Sequence, residues 1–215
     1  FGLINNEGTY IVEDNFSNRK EFQFRWANEA HFNRNTTVPG GNAAGLFWDC
    51  LRVFCDGNRL LNISISTAGG RFEQAVVENN RTERLNILRL GDNDMVIRNN
   101  YISDSFIIRD SHAVVSNNLL KTMHSTLNID NSVVQFNYNK FETVEIRRTC
   151  ELEFNNNTFV GTWTNDASCL IYPERGEEPE CSLILRNNIF ANLTEFDHAI
   201  SPAFAGIDAV VHLAA

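Results

Sequence analysis

Ile97-Arg98-Asn99-Asn100-Tyr101-Ile102 reads as the end of a short strand, a corner, and the start of another strand, and the same form recurs along the chain. It appears earlier as Val76-Val77-Glu78-Asn79-Asn80 and later as Val115-Ser116-Asn117-Asn118-Leu119-Leu120 and Phe136-Asn137-Tyr138-Asn139-Lys140-Phe141. Two further copies are Phe154-Asn155-Asn156-Asn157-Thr158-Phe159 and Leu185-Arg186-Asn187-Asn188-Ile189-Phe190. With Asn80, Asn100, Asn118, Asn139, Asn157 and Asn188 as marks, the steps between copies are 20, 18, 21, 18 and 31 residues. A fixed period near this length is the signature of a solenoid, in which each unit buries its apolar face only by stacking on its neighbours.

Working outward from each mark, the residue three places earlier is apolar (Val77, Ile97, Val115, Phe136, Phe154, Leu185), and so is the one five places earlier (Ala75, Met95, Ala113, Val134, Leu152, Leu183). The residue between the mark and the first of these is mostly polar (Glu78, Arg98, Ser116, Asn137, Asn155, Arg186). Such alternation predicts a strand with one buried face. Two places after the mark the chain turns inward again at Ile102, Leu120, Phe141, Phe159 and Phe190, with Thr82 as the exception. A second apolar run in the middle units (Leu88-Arg89-Leu90, Phe106-Ile107-Ile108, Leu127-Asn128-Ile129, Val144-Glu145-Ile146) gives each coil at least two strands. Short strands with no 3.6-residue periodicity between them cannot build βαβ units, but they can wind as a parallel β-helix. Asparagine suits the corner because it tolerates left-handed backbone and its amide can bond its counterpart on the next rung.

These Asn-Asn-x-apolar turns resemble those of the right-handed parallel β-helix superfamily of pectate-lyase-like proteins, clearly over residues 76–190 and faintly back to Leu51. The resemblance implies an all-β, right-handed parallel β-helix solenoid with coils of about 18–21 residues and an internal asparagine ladder. Members that degrade polysaccharides use clustered carboxylates, or an Arg or Lys base beside Ca²⁺ carboxylates, on an outward face. The Asn-Thr-Asp, Asp-Asp, Gly-His-Gly and Arg-Ile-Lys signature of the polygalacturonases is absent from this chain.

Residues 1–50 are read as an irregular N-terminal cap or first coils, 51–196 as the β-helix with an inserted loop at 160–180, and 197–215 as a tail that caps the last coil or contacts another subunit. Because the chain starts at Phe1, it is expected to be a processed product or a fragment. With 27 acidic against 18 basic residues the formal charge is −9, which disfavours nucleic acid and anionic membrane surfaces as partners. No apolar run is long enough to predict membrane insertion.

Asn-x-Ser/Thr acceptor patterns occur at Asn15, Asn35, Asn62, Asn80, Asn156 and Asn192. Asn80 is expected to stay bare inside the ladder, and the other five are glycosylation candidates in an extracellular or cell-surface protein. Cys150 and Cys181 each lie seven residues before a mark, hence on one column of successive coils, and are expected to form a disulfide. Cys50 and Cys55 are the second expected pair, leaving Cys169 over.

The best polar stack for chemistry is Asp92, Asp110, Asp130 and Arg148, each eight or nine residues before its mark. Asp110, Asp130 and Arg148 are the catalytic candidates, and Asp92 and Trp163 the ligand-binding ones. No metal motif is present and no cofactor is expected; Ca²⁺ enters only if the protein is a lyase. The leading expectation is a structural or adhesive glycoprotein that associates with itself through the coil ends. Against it stand a lyase or hydrolase acting on an acidic polysaccharide, and a non-catalytic carbohydrate-binding module that uses Trp26, Trp48 or Trp163 as a stacking platform.

Overall fold

The computed structural model describes residues 2–5, 7–18, 21–37, 41, 43–68, 72–92, 94–120, 126–141, 143–160, 171–173, 181–191 and 208–214. For 2–5, 126, 143, 171–173 and 208–214 the description is of the backbone. Every regular element among them is a strand, and every pairing is parallel. The chain winds through three faces in turn and returns to each one coil later, as an all-β parallel β-solenoid.

The first face stacks β2 (Thr9–Glu13), β5 (Glu29–Asn33), β8 (Arg52–Asp56), β10 (Gln74–Glu78), β12 (Asp94–Arg98) and the end of β13 (Tyr101–Ser116). It continues through β16 (Val133–Asn137), β19 (Cys150–Asn155) and the start of β22 (Cys181–Ala191). The second face stacks β1 (Gly2–Asn5), β4 (Glu21–Arg25), β7 (Ala44–Trp48), part of β9 (Arg59–Ser66), β11 (Arg81–Gly91) and the middle of β13. Beyond them lie β15 (Thr126–Asp130), β18 (Thr143–Arg147) and β21 (Ile171–Pro173).

The third face is narrow. It begins with β3 (Phe16–Ser17) and β6 (Thr36–Thr37) and then takes the first residues of β9, β11 and β13. It ends with β14 (Leu119–Leu120), β17 (Lys140–Phe141), β20 (Thr158–Val160), the end of β22, and β23 (Asp208–Ala214). The described strands within residues 2–48 are coils of the same stack, and β21 places residues 171–173 on the second face. The 208–214 segment takes the strand form and adds to the stack.

Register is fixed by columns of identical chemistry. Phe24 stacks on Phe47 (4.9 Å), Phe136 on Phe154 (4.6 Å) and Phe159 on Phe190 (4.8 Å), with rings nearly coplanar. These distances match the spacing of paired strands, so each ring lies over its counterpart one coil on. The expected core positions three and five before each mark are all buried. Thr82 is also buried, and its hydroxyl is satisfied by the carbonyls of Leu61 (3.2 Å) and Arg84 (2.9 Å), which explains how a polar residue occupies an apolar column.

The asparagine ladder runs further than the repeat predicts. Side-chain amides bond in sequence from Asn15 through Asn35, Asn58, Asn80, Asn100, Asn118, Asn139 and Asn157 to Asn188, at 2.8–3.1 Å. In each pair the Oδ1 of the following rung also accepts the backbone N–H of the preceding asparagine, and from Asn35 onward Nδ2 donates to a carbonyl of the coil before. The left-handed conformation belongs to the residue before the ladder asparagine: Asp14, Arg34, Gly57, Asn79, Asn99, Asn117, Tyr138, Asn156 and Asn187 all have φ between 54° and 65°. The Asn pair thus divides two jobs, the first residue turning the chain and the second closing the corner.

Candidate carbohydrate groove and the opposite polar corner

A second left-handed column forms where the second face turns into the first. Trp26, Asp49, Arg89, Asp110, Asn131 and Arg148 occupy it, with φ between 46° and 62°. The residue after this corner is Cys50, Ser111 or Ser132 in several coils, and its Oγ or Sγ donates to the carbonyl two residues back: Trp48 (3.5 Å), Arg109 (2.7 Å) and Asp130 (2.7 Å). Ser111 Oγ in turn accepts the N–H of Leu90, and Ser132 Oγ that of Ser111. Small hydroxyls and thiols do here what asparagine does at the first corner, with shorter reach.

Outside this corner lies a groove of about 430 Å³ built from two adjacent rows. The row at the strand ends holds Arg25, Trp48, Ser66, Leu88 and Arg109, which are register partners on successive coils. The corner row supplies Trp26, Asp49, Thr67 and Arg89. At roughly 4.8 Å per coil, the four steps from Arg25 to Arg109 make a trough about 19 Å long, parallel to the solenoid axis.

Its centre is floored by the small residues Ser66, Thr67 and Ala68, and Asp49 pins that floor by accepting from the Thr67 hydroxyl and the Ala68 N–H, both at 2.7 Å. At one end Arg25 lies 4.5 Å over the Trp48 ring, and Trp26 is 49% exposed. A tryptophan held in left-handed backbone carries a conformational cost of about 1–2 kcal/mol, and here it turns the indole outward beside a second indole. At the other end stand Arg89 and Arg109, the latter tied to Asp130 at 2.9 Å. Indole faces offer stacking to the C–H faces of a sugar, and guanidiniums offer paired donors to carboxylate or sulfate.

The expected stack of Asp92, Asp110, Asp130 and Arg148 is only partly realised. Asp110 and Arg148 do share the corner column, but Asn131 stands between them where Asp130 was expected. Asp130 is one residue earlier, 3% exposed, and ion-paired with Arg109 at 2.9 Å and Arg148 at 3.5 Å. Asp110 and Asn131 each stand eight residues before their marks, whereas Asp130 stands nine before its own and is the register partner of Arg109 at the strand end. Asp110 accepts from Asn131 Nδ2 (2.8 Å), and Asp92 lies 3.1 Å from His112 Nε2. These two carboxylates line a second groove of about 380 Å³ together with Ser111, Thr149, Cys150 and Glu151. Among the described residues no group of three or more metal-ligating side chains forms.

All four described cysteines are free thiols. Cys150 and Cys181 are register partners, as the spacing predicts, whereas Cys50 directly follows the corner column and Cys55 holds a core position in β8. Burial pushes the Cys50 thiol up to about 11 and that of Cys55 higher still, so both behave as small apolar core groups. Of the glycosylation candidates, Asn156 is exposed on its corner, Asn15 is exposed at the end of the ladder and Asn62 is half-buried. Asn35 is 1% exposed inside the ladder, so its amide nitrogen is already committed, in contrast to its expected place outside. Asn192, Trp163 and Cys169 lie outside the described residues.

Sequence reasoning had named Trp26 and Trp48 as stacking residues but had no means of joining them to Arg25, Arg89 and Arg109. The available signal was the Arg-Trp pair at 25–26 followed by Trp-Asp at 48–49, one coil apart. Comparison with family models, with curated proteins and with solved structures finds no match for this chain.

Proposed function

We propose that this protein is a non-catalytic, adhesive β-helix that binds a carbohydrate along the Arg25–Arg109 groove, in an extracellular or cell-surface setting. One observation carries the reading: two indoles and three guanidiniums, drawn from coils far apart in sequence, line one axis-parallel trough on a protein whose overall charge is −9. The local positive charge favours a glycan bearing carboxylate or sulfate groups. The likeness of the Asn turns to those of pectate-lyase-like right-handed β-helix proteins supports a carbohydrate-facing role. The exposed acceptor site Asn156 supports the secreted setting, and stacking of the coil ends on one another is the proposed mode of self-association. Asp130, buried and held by two arginines, serves the groove better as the anchor of Arg109 than as an acid or base.

The test is titration of uronic-acid and neutral polysaccharides with tryptophan fluorescence as the readout. Trp48→Ala and Trp26→Ala should each weaken binding by roughly two- to tenfold, in line with about 0.5–1.5 kcal/mol for an aromatic contact. Binding that both variants retain in full, or no binding of any glycan, overturns the proposal.

A further inference from the structure

Cys150 opens β19 and Cys181 opens β22, and the two are directly paired in register on neighbouring coils. Adjacent paired strands hold their Cα atoms near 4.8 Å apart, inside the range a disulfide accepts. Cys150 Sγ is 3.3 Å from the Arg147 carbonyl, and Cys181 Sγ is 3.1 Å from that of Arg148. The contact between the paired thiols holds the Cys181 thiol below its usual range and pushes that of Cys150 up, with burial adding to the latter. Cys150 is buried and Cys181 half-buried. Cys150 also lines the second groove, whose carboxylates are Asp92, Asp110 and Glu151.

We propose that Cys150 and Cys181 form a thiol–disulfide exchange site beside the acidic groove, which takes a low-molecular-weight cationic disulfide as oxidant and closes to an intramolecular disulfide. Cys181 is the attacking group because it is the more accessible and the better stabilised as thiolate. Its sulfur forms a bond to one sulfur of the external disulfide, whose S–S bond breaks and releases one thiol. The Cys150 sulfur then attacks Cys181 in the mixed disulfide and expels the second thiol. Two protein thiols lose two protons and two electrons, and the external disulfide is reduced to two thiols. The product ties the two ends of the longest coil step, Asn157 to Asn188, across 31 residues.

The experiment uses the full chain carrying Cys169→Ser, so that this cysteine does not compete, and cystamine or oxidised glutathione as the probe. Cystamine should yield a protein lighter by two hydrogens, with Cys150 and Cys181 in one cross-linked peptide. Adding Cys150→Ser should instead accumulate a mixed disulfide at Cys181, and adding Cys181→Ser should slow reaction about tenfold or more. At low salt cystamine should outpace the anionic glutathione disulfide about tenfold, a difference that added salt removes. Failure to cross-link in the folded protein, or a mixed disulfide on Cys150 with Cys181 unreactive, overturns the exchange site. Equal rates for the two oxidants overturn the preference for a cationic disulfide.

Discussion

At the scale of single residues, each ladder asparagine is bonded on several sides at once. Asn139 Nδ2 reaches the carbonyls of Val115 (2.8 Å) and Asn137 (3.2 Å) and Asn157 Oδ1 (3.1 Å), while its own Oδ1 accepts both the N–H and the amide of Asn118. Alanine there leaves buried backbone groups without partners, so Asn139→Ala should lower stability by about 1–3 kcal/mol in denaturant titration. Asn58→Ala, in a coil that the Asn pair does not mark, should cost as much, because Asn58 makes the same bonds to Phe32 and Asn80. Asn58 was nevertheless legible: Val53 and Cys55 stand five and three places before it and Leu60 two after. It was missed because Gly57 takes the left-handed position that asparagine fills in later coils, and Arg34 does the same before Asn35. A pattern demanding two asparagines finds the first job only when asparagine performs it.

At the scale of elements, outward columns on the first face carry ion pairs between neighbouring coils. Glu29 in β5 meets His31 at 2.5 Å and Arg52 of β8 at 3.0 Å, and the His31 ring stacks on Phe54 at 4.8 Å. The His31 hydrogen bond first, and then the charge of Arg52, hold the Glu29 carboxyl below its usual range. A carboxylate depressed in the folded state contributes stability above its unfolded pKa of about 4.3, and that contribution is lost as pH falls through the folded value. Glu29→Gln should therefore lower Tm at neutral pH, and the gap from the parent protein should close below about pH 4. The inward half of such strands follows from period-two alternation and was readable in advance. The pairing of outward residues was not, because it depends on where each strand ends: Asp130 still lies in its strand opposite Arg109, while Asp110 already stands in the corner.

At the scale of the whole molecule, a protein of charge −9 presents Arg25, Arg89 and Arg109 along one trough, so long-range repulsion and local attraction act on the same anionic ligand. Salt screens both, but the long-range term first. Affinity for an acidic glycan should thus rise slightly from very low salt and then fall beyond about 0.1 M, whereas affinity for a neutral glycan should stay flat. The groove owes its existence to register: a one-residue slip between coils would turn Trp48 and Arg109 out of the row that begins at Arg25. That register rests on the claim that one continuous asparagine column runs from Asn15 to Asn188. Side-chain amide hydrogen exchange, resolved by nuclear magnetic resonance, tests it most directly. The account predicts strong protection at Asn35, Asn58, Asn80, Asn100, Asn118, Asn139 and Asn157, with fast exchange at the exposed corner residues Asn79, Asn99, Asn117 and Asn156. Equal exchange in the two sets, or protection that stops before Asn58, would contradict it.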